Sequence, residues 1–325
     1  MKVFLTGGTG FVGSHVVEAL LREGHEVVAL VRKTSDTELL NQWGVKKVVG
    51  ALGDARGLMD HLTEADAVVH VAGLVAASRP EVMYQANVEG TRDLVDRVAE
   101  LGDPGKRFIY ISSVAAQGPS RGREPRPVTE MPQPVSFYGR TKLEGEGAVL
   151  AHRDNMEVTI LRPPPVYGPR DRDMFQVFAI ANRRLSPVLG MGNRWLSIIH
   201  VDDVARAVVA CVEAPGKGRV YPIDDGGVYT WRDLGEQVSE ALEKSTLTVP
   251  LPAFLFAGAA TISELGGRLL GSPPTFSRDK YREMIQSSWV CGHRGLHEDL
   301  GWEPSLDLRE GACRTAQWYR ENGWL

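Results

Sequence analysis

Tyr138 and Lys142 stand four residues apart in the run YGRTK, a spacing that puts both side chains on one face of a helix. A free tyrosine titrates near pH ~10. An ammonium beside it favours the phenolate and makes the phenol a better acid–base group near neutral pH. Ser113, in YISSVAAQG, follows an apolar run and would lie at a strand's carboxyl end, where its hydroxyl could hold a substrate oxygen. The bland alternative for the Tyr–Lys pair is an exposed helical pair with no chemistry. A second pattern opens the chain. Gly7, Gly10 and Gly13 recur at G-x-x-G-x-x-G spacing, between an apolar run over 2–6 and a helical pattern of Val12, Val16, Ala19 and Leu20 that Gly24 ends. In the context of strand, turn and helix, such glycines let backbone approach a pyrophosphate, and the helix N-terminus offers free N–H groups with a partial positive charge. The alternative is a glycine-rich connector.

Elements must position these residues. Apolar runs over 26–31, 45–49, 67–71, 107–111 and 158–161 read as further strands, with helical patterns over 37–43, 54–61, 80–101 and 137–151 between them. Strands alternating with helices predict an α/β fold, a doubly wound parallel sheet covered on both faces. Ligands then bind beyond the carboxyl ends of the strands. Residues 117–135 read as a loop whose Arg121, Arg123 and Arg126 face either an acidic substrate or solvent. Pro163, Pro164 and Pro165 exclude a helix after the sixth strand. Beyond Arg170 the alternation fades. Residues 195–199 and 219–223 are expected to return to the sheet as strands, and helices near 231–243, 253–270 and 308–320 to form a smaller cap. The division expected is a dinucleotide-binding domain over 1–165, with returning segments near 195–230, and a mainly substrate-binding, interleaved cap over 166–325.

The 325 residues are 43% hydrophobic and 24% charged, the composition of an ordinary soluble protein, and the net charge of −4 gives no global basic field for nucleic acid. Cys211, Cys291 and Cys313 lie far apart with no C-x-x-C, which fits a reducing compartment. No charged-then-apolar leader precedes the first strand, and the apolar stretch 249–260 is too short to span a bilayer, so a cytoplasmic chain with no transmembrane segment is expected. Over 249–270, Phe254, Ala257, Thr261, Leu265 and Leu269 fall near one helical face. That face either packs on the cap's core, or forms the wall of an apolar pocket or a weak membrane contact.

The segments TGGTGFVG, HVAG, NVEGT, ISSVAAQG, YGRTK, RPPPVYGP and HVDD occur in the order and spacing of the extended short-chain dehydrogenases/reductases. The chain resembles this family, part of the NAD-dependent epimerase/dehydratase superfamily, over essentially its whole length and most strongly over 1–212. The resemblance implies a Rossmann domain with a smaller C-terminal substrate domain. It implies that Tyr138 is the catalytic acid/base, that Lys142 binds the nicotinamide ribose and tunes Tyr138, and that Ser113 hydrogen-bonds the reacting oxygen. The family's reactive hydroxyl sits five residues before the glycine matched by Gly118, which selects Ser113 over Ser112. The resemblance places Gly7, Gly10, Phe11, Val12 and Gly13 among the cofactor-binding residues, with Leu52 at the adenine, Ala72 and Gly73 along the cofactor, and Asn87, Pro164 and Val166 near the nicotinamide. Asn87 is equally compatible with an asparagine bonding backbone in the core. His70, His200 and Asp202 could suggest a metal cluster, but their places in HVAG and HVDD favour structural roles, and no metal is assigned.

Within the superfamily, RPPPVYGP and residues 190–203 look most like the dihydroflavonol-reductase and 3β-hydroxysteroid-dehydrogenase branch. Nucleotide-sugar epimerases usually carry an asparagine where this chain has Pro165. Ala51 stands where many relatives have an Asp for the adenine amino group, which leaves Leu52 to line the adenine and Asp54 as the nearest carboxylate. NAD-selective sites place a carboxylate at the end of the second strand. Here that position is Val31, followed by Arg32 and Lys33, and arginine can fork onto a 2′-phosphate. NADP is therefore favoured over NAD, against the alternative of a solvated Arg–Lys pair. The expected activity is hydride transfer between NADP(H) and a ketone or secondary alcohol, a small-molecule substrate that an apolar pocket would suit. The alternatives are an epimerase or dehydratase with tightly held NAD, and a dinucleotide-binding regulatory protein without turnover, which the Ser113, Tyr138 and Lys142 set disfavours. Relatives often pair through helices matched by 80–101 and 137–151, so a homodimer is implied.

Overall fold

The computed structural model describes residues 1–190, 192, 194–214, 218–270 and 276–325, apart from the side chains of 55, 189 and 268–270. The first half runs β1 (Lys2–Thr6), α1 (Phe11–Arg22), β2 (Glu26–Val31), α2 (Glu38–Gln42), β3 (Lys46–Val49), a 3-10 turn (Leu52–Leu58), α3 (Met59–Glu64) and β4 (Ala67–His70). It continues through α4 (Pro80–Tyr84), a π turn (Gln85–Glu89), α5 (Gly90–Ala99), β5 (Arg107–Ile111), α6 (Val114–Gln117), α7 (Phe137–Leu150) and β6 (Glu157–Arg162). After it come β7 (Val166–Tyr167), α8 (Phe175–Asn182), β8 (Leu185–Leu189), β9 (Trp195–Leu196), β10 (Ile199–His200), α9 (Val201–Glu213) and β11 (Arg219–Pro222). The chain ends with β12 (Tyr229–Thr230), α10 (Trp231–Ala241), β13 (Leu247–Leu251), α11 (Ala253–Leu270), α12 (Arg278–Met284), β14 (Ser288–Trp289), α13 (Arg294–Leu300) and α14 (Leu308–Glu321).

Among the described residues, a seven-stranded sheet has the order β11-β6-β5-β4-β1-β2-β3. Every pairing in it is parallel. Side chains alternate between its two faces. Val3, Leu5, Val27 and Ala29 pack with Val16, Val17 and Leu20 of α1 and with Val204 and Val208 of α9. Phe4, Val28, Val68 and Phe108 pack with Leu62, Leu94, Val95 and Val149 on the other side. The continuous apolar runs follow from this, because both faces are covered. The strand order reverses direction between β1 and β4, which opens a crevice at their carboxyl ends. A further core joins Tyr167, Phe178, Leu234, Val238, Leu308, Ala312 and Tyr319.

Several expectations are corrected. Residues 219–223 do return to the sheet, as β11 beside β6. Residues 195–199 do not: β9 lies between β12 and β14, and β10 pairs with β7. The free edge of β6 that such a strand would need is taken by β11. The helix expected over 80–101 is interrupted by the π turn that carries Asn87, and the helix over 54–61 is divided between a 3-10 turn, kinked by the non-helical backbone of Asp54, and α3, which starts at Met59. The helices through which a homodimer is implied turn large apolar residues inward. Met83, Val88, Leu94, Val95, Val98 and Val149 are all buried within the chain, and Glu81, Gln85, Glu89, Arg92, Arg140 and Glu144 point outward. On α11, Phe254 and Leu265 are 70% and 55% exposed, so their face does not pack on a core. The side chain of Leu269 lies outside the described residues.

Candidate active site

The chain leaves β1 and turns at Gly7 with φ +79°, a left-handed backbone that glycine adopts without steric cost. A β-carbon at Gly7 would lie 2.6 Å from the amide nitrogen of Ala72, and one at Gly13 would collide with the carbonyl oxygen of Gly7. Only glycine lets the turn fit between α1 and the 72–73 backbone. Helix α1 starts at Gly10 with no side-chain cap and no acidic residue in its first turn. Its leading N–H groups and positive end therefore remain for an anion, and the cradle fits a dinucleotide pyrophosphate. Phe11 stands edge-on to His15 at 5.8 Å, and Val12 packs against the core. His15 fastens the helix to Asp202 (3.0 Å) and to the carbonyl of Pro169 (2.9 Å), which gives Asp202 a structural task.

Across the crevice, the Thr6 hydroxyl meets His70 Nδ1 at 2.7 Å and accepts the Ala72 N–H at 3.3 Å. His70 Nε2 meets Thr91 at 2.9 Å. Burial first, and then the charge of Lys142, push His70 down to about 3, so it is a neutral strut. His200 caps α9 through the Asp202 N–H, and burial pushes it down to about 4. Asn87 accepts from the Leu74 N–H (2.7 Å) and donates to the Leu74 carbonyl (2.9 Å) and the Thr141 hydroxyl (3.0 Å). A β-carbon on Gly73 would stand 3.3 Å from Asn87 Oδ1 and 3.5 Å from Lys142 Nζ. The Ala72–Gly73 backbone, Asn87 and Lys142 thus share one floor. A π turn of this kind brings an interior residue to a site that a regular helix would miss.

Lys142 donates to the Ile111 carbonyl at 2.6 Å and sits 4.4 Å over the Tyr110 ring. Burial pushes its ammonium down to about 7, opposed by the carboxylate of Glu146 one turn on. Glu146 is held by both arms of Arg162, at 2.8 and 2.5 Å, and accepts from Ser112 at 2.5 Å. Ser112 is committed to this buried pair. Ser113 instead caps α6, accepting the Ala115 N–H at 3.1 Å.

Helix α7 begins at Ser136, whose side chain accepts the Gly139 N–H at 2.9 Å. A β-carbon on Gly139 would collide with the Ala115 carbonyl oxygen, so α7 rests directly on α6. That contact brings Tyr138 and Ser113 together. The phenol is pushed well above its ordinary value by desolvation and by the charge of Glu283, while a hydrogen bond with Ser113 pulls it back. The lowering expected from Lys142 is not among these influences, because the lysine head is turned to Ile111 and Tyr110. Sequence reasoning missed two carboxylates on α12. Asp279 accepts the N–H groups of Phe137 (2.7 Å) and Tyr138 (2.9 Å), and buried Glu283 accepts from the Ser136 hydroxyl at 2.7 Å. Their four-residue spacing on one helix was the only signal.

Of the remaining residues, Pro164 follows Pro163, whose carbonyl accepts the Val114 N–H next to Ser113 at 3.1 Å. Arg32 and Lys33 are exposed at the end of β2, on the side of β1 away from β5, with the Arg32 N–H on the Ser35 hydroxyl at 3.1 Å. Leu52 covers Gly90, where a β-carbon would come within 2.9 Å of it. Pro164 is buried, and Val166 pairs with Ile199. Arg123 stacks over the Trp195 ring at 4.7 Å and Arg126 donates to the Met131 carbonyl at 2.8 Å, so both are engaged within the fold. Arg121 is exposed.

Residues 3–224 match the NAD dependent epimerase/dehydratase family. The whole chain is similar to a ceramide reductase of Caulobacter vibrioides, with 32% identity over 99% of this chain and 96% of that protein. It is also similar to the decarboxylating sterol-4-alpha-carboxylate 3-dehydrogenase of Dictyostelium discoideum, with 26% identity over 78% of this chain and 81% of that one. Among solved structures, the UDP-glucose 4-epimerase of Thermus thermophilus in complex with NAD shares the fold, with a TM-score of 0.77 at 24% identity over 98% of this chain and 99% of that chain. Sheet order, glycine turn and sequence similarity agree: the chain belongs to the NAD dependent epimerase/dehydratase family, within the extended short-chain dehydrogenases/reductases.

Proposed function

We propose that this protein transfers hydride between NADP(H) and a ketone or secondary alcohol on an apolar small molecule. The observation that carries this reading is the meeting of Tyr138 with Ser113 where α7 rests on α6. The bound dinucleotide supplies the hydride. Ser113 hydrogen-bonds the substrate oxygen, and Tyr138 gives it a proton as negative charge develops there. The raised phenol stays protonated near neutral pH, which suits the reducing direction. Lys142 binds the nicotinamide ribose in this reading, which its nearness to Gly73 and Asn87 supports. Pro165 supports a reductase over a nucleotide-sugar epimerase, since it lacks the donor of the asparagine expected there. The reductase and dehydrogenase relatives support an apolar substrate.

The test is absorbance at the nicotinamide band with NADPH or NADH and a panel of long-chain ketones, steroid ketones and nucleotide sugars. Net oxidation of NADPH with a ketone is expected. Sugar interconversion without release of oxidised cofactor would replace this reading with an epimerase.

The NADP preference rests on exposed Arg32 and Lys33 after buried Val31. Arg32→Asp should weaken NADP binding by about tenfold or more while sparing NAD, since a charged hydrogen bond is worth about 1.5–3 kcal/mol. Equal losses for both cofactors in titration would remove Arg32 from phosphate recognition. The same reading includes a homodimer through α5 and α7.

A further inference from the structure

We propose that α11 is a surface-seeking helix whose outer face rests on an anionic lipid bilayer. Phe254, Leu255, Ile262 and Leu265 are 70%, 48%, 72% and 55% exposed, and Gly258 and Ala259 between them are exposed as well. At helical spacing these six residues make one face, and it presents no side-chain donor or acceptor. Thr261, at the edge of this face, and Ser263 and Glu264, behind it, are tied to the chain that follows the helix. The Thr261 hydroxyl accepts from Arg278 Nε at 3.3 Å, the Ser263 hydroxyl accepts the Phe276 N–H at 3.1 Å, and Glu264 accepts the Arg278 N–H at 2.7 Å. The helix is therefore amphipathic in the inverted sense, with its apolar side to the outside.

Charge identifies the occupant. Helix α12, packed on α11, sends its acidic residues inward, Asp279 and Glu283 to the start of α7, and leaves Arg282 exposed, while Arg278 pairs with Glu264 at 3.6 Å. Upstream, exposed Leu185 and Leu247 are register partners on the ribbon that leads into α11, and exposed Arg183 and Arg184 precede Leu185. An uninterrupted apolar stripe flanked by cations is the pattern of a helix lying in a bilayer interface with anionic headgroups. A second copy on the same stripe would meet it with the same patch, cation against cation. A different protein would meet a stripe with nothing to hydrogen-bond, whereas such interfaces carry about one hydrogen bond per 100–200 Å². The 18 residues of α11 span about 27 Å, and no helix among the described residues is long and apolar enough to cross a membrane. The helix lies along the surface.

The experiment is co-sedimentation of the full chain with vesicles of phosphatidylcholine alone and of phosphatidylcholine mixed with phosphatidylglycerol. It needs no substrate or turnover, so it stands or falls separately from the proposed activity. Binding is expected to the anionic vesicles and to weaken as salt rises. The triple variant Phe254→Asp, Ile262→Asp, Leu265→Asp should bind about tenfold or more weakly, with unchanged circular dichroism and cofactor affinity. Arg282→Glu should lose the preference for anionic vesicles. No sedimentation with either vesicle, or equal sedimentation of parent and triple variant, overturns the proposal. A parent dimer that the triple variant converts to monomer, without vesicle binding, also overturns it and assigns the face to a second copy.

Discussion

Tyr138 and Lys142 share one face of α7, yet burial moves them in opposite senses, the phenol up and the ammonium down to about 7. Tyr138→Phe keeps the ring and removes the proton, so folding and cofactor affinity should survive while single-turnover hydride transfer falls by about 10²–10⁴-fold. Transfer near the parent rate would take Tyr138 out of the mechanism. For Lys142 the sign follows from linkage. The folded value lies below the unfolded value of 10.5. Above about pH 7 the unfolded chain therefore holds a proton that the folded chain has released, and stability rises with pH. Denaturant unfolding should show the parent gaining on Lys142→Met between about pH 7 and pH 9, by up to about 1.4 kcal/mol per pH unit. A flat difference would show that the folded lysine keeps its proton. The four-residue spacing is legible in sequence because it is local. The burial, and the turning of the lysine toward Ile111, are not, since they depend on strands that the spacing does not mention.

Helix α7 is the element on which the site depends, and it is placed by what its glycine lacks. Gly139→Ala should drive a methyl against the Ala115 carbonyl and lift the helix from α6. Overpacking of this kind costs about 1–3 kcal/mol. Chemical denaturation should report that loss, and turnover should fall further than cofactor affinity because Ser113 and Tyr138 separate. Unchanged stability and turnover would show that the two helices have slack. The start of α7 was half legible. The helical pattern over 137–151 shows in the sequence, but Asp279 binds its first two amides from 142 and 141 residues away, beyond any local pattern. The misreading of 195–199 has a related cause. Strands of two residues carry no period, and their pairing with β12 and β14 is decided by which edges remain open.

At the scale of the whole molecule, the parallel sheet was readable because its five inner strands, β1, β2, β4, β5 and β6, are buried and leave continuous apolar runs between helical ones. The assembly of copies was not. The large apolar residues of α5 and α7 are consumed by the sheet, and Glu89, Arg92, Arg140 and Glu144 face outward. A homodimer through these helices should be polar and salt-sensitive, with a dimer mass in light scattering at low ionic strength that declines as salt is added. A monomer mass at every concentration would dismiss it. The long reach of Asp279 also sets an order in time. Domains of a growing chain fold from the N-terminus as they emerge. The glycine turn is complete within the first 22 residues and the sheet closes with β11 at Pro222, but the amides of Phe137 and Tyr138 wait for a carboxylate made still later. A nascent chain is thus furnished to grip a dinucleotide before the start of α7 is tied down, and one that stops after β11 carries its acid on a helix whose first amides are still unheld.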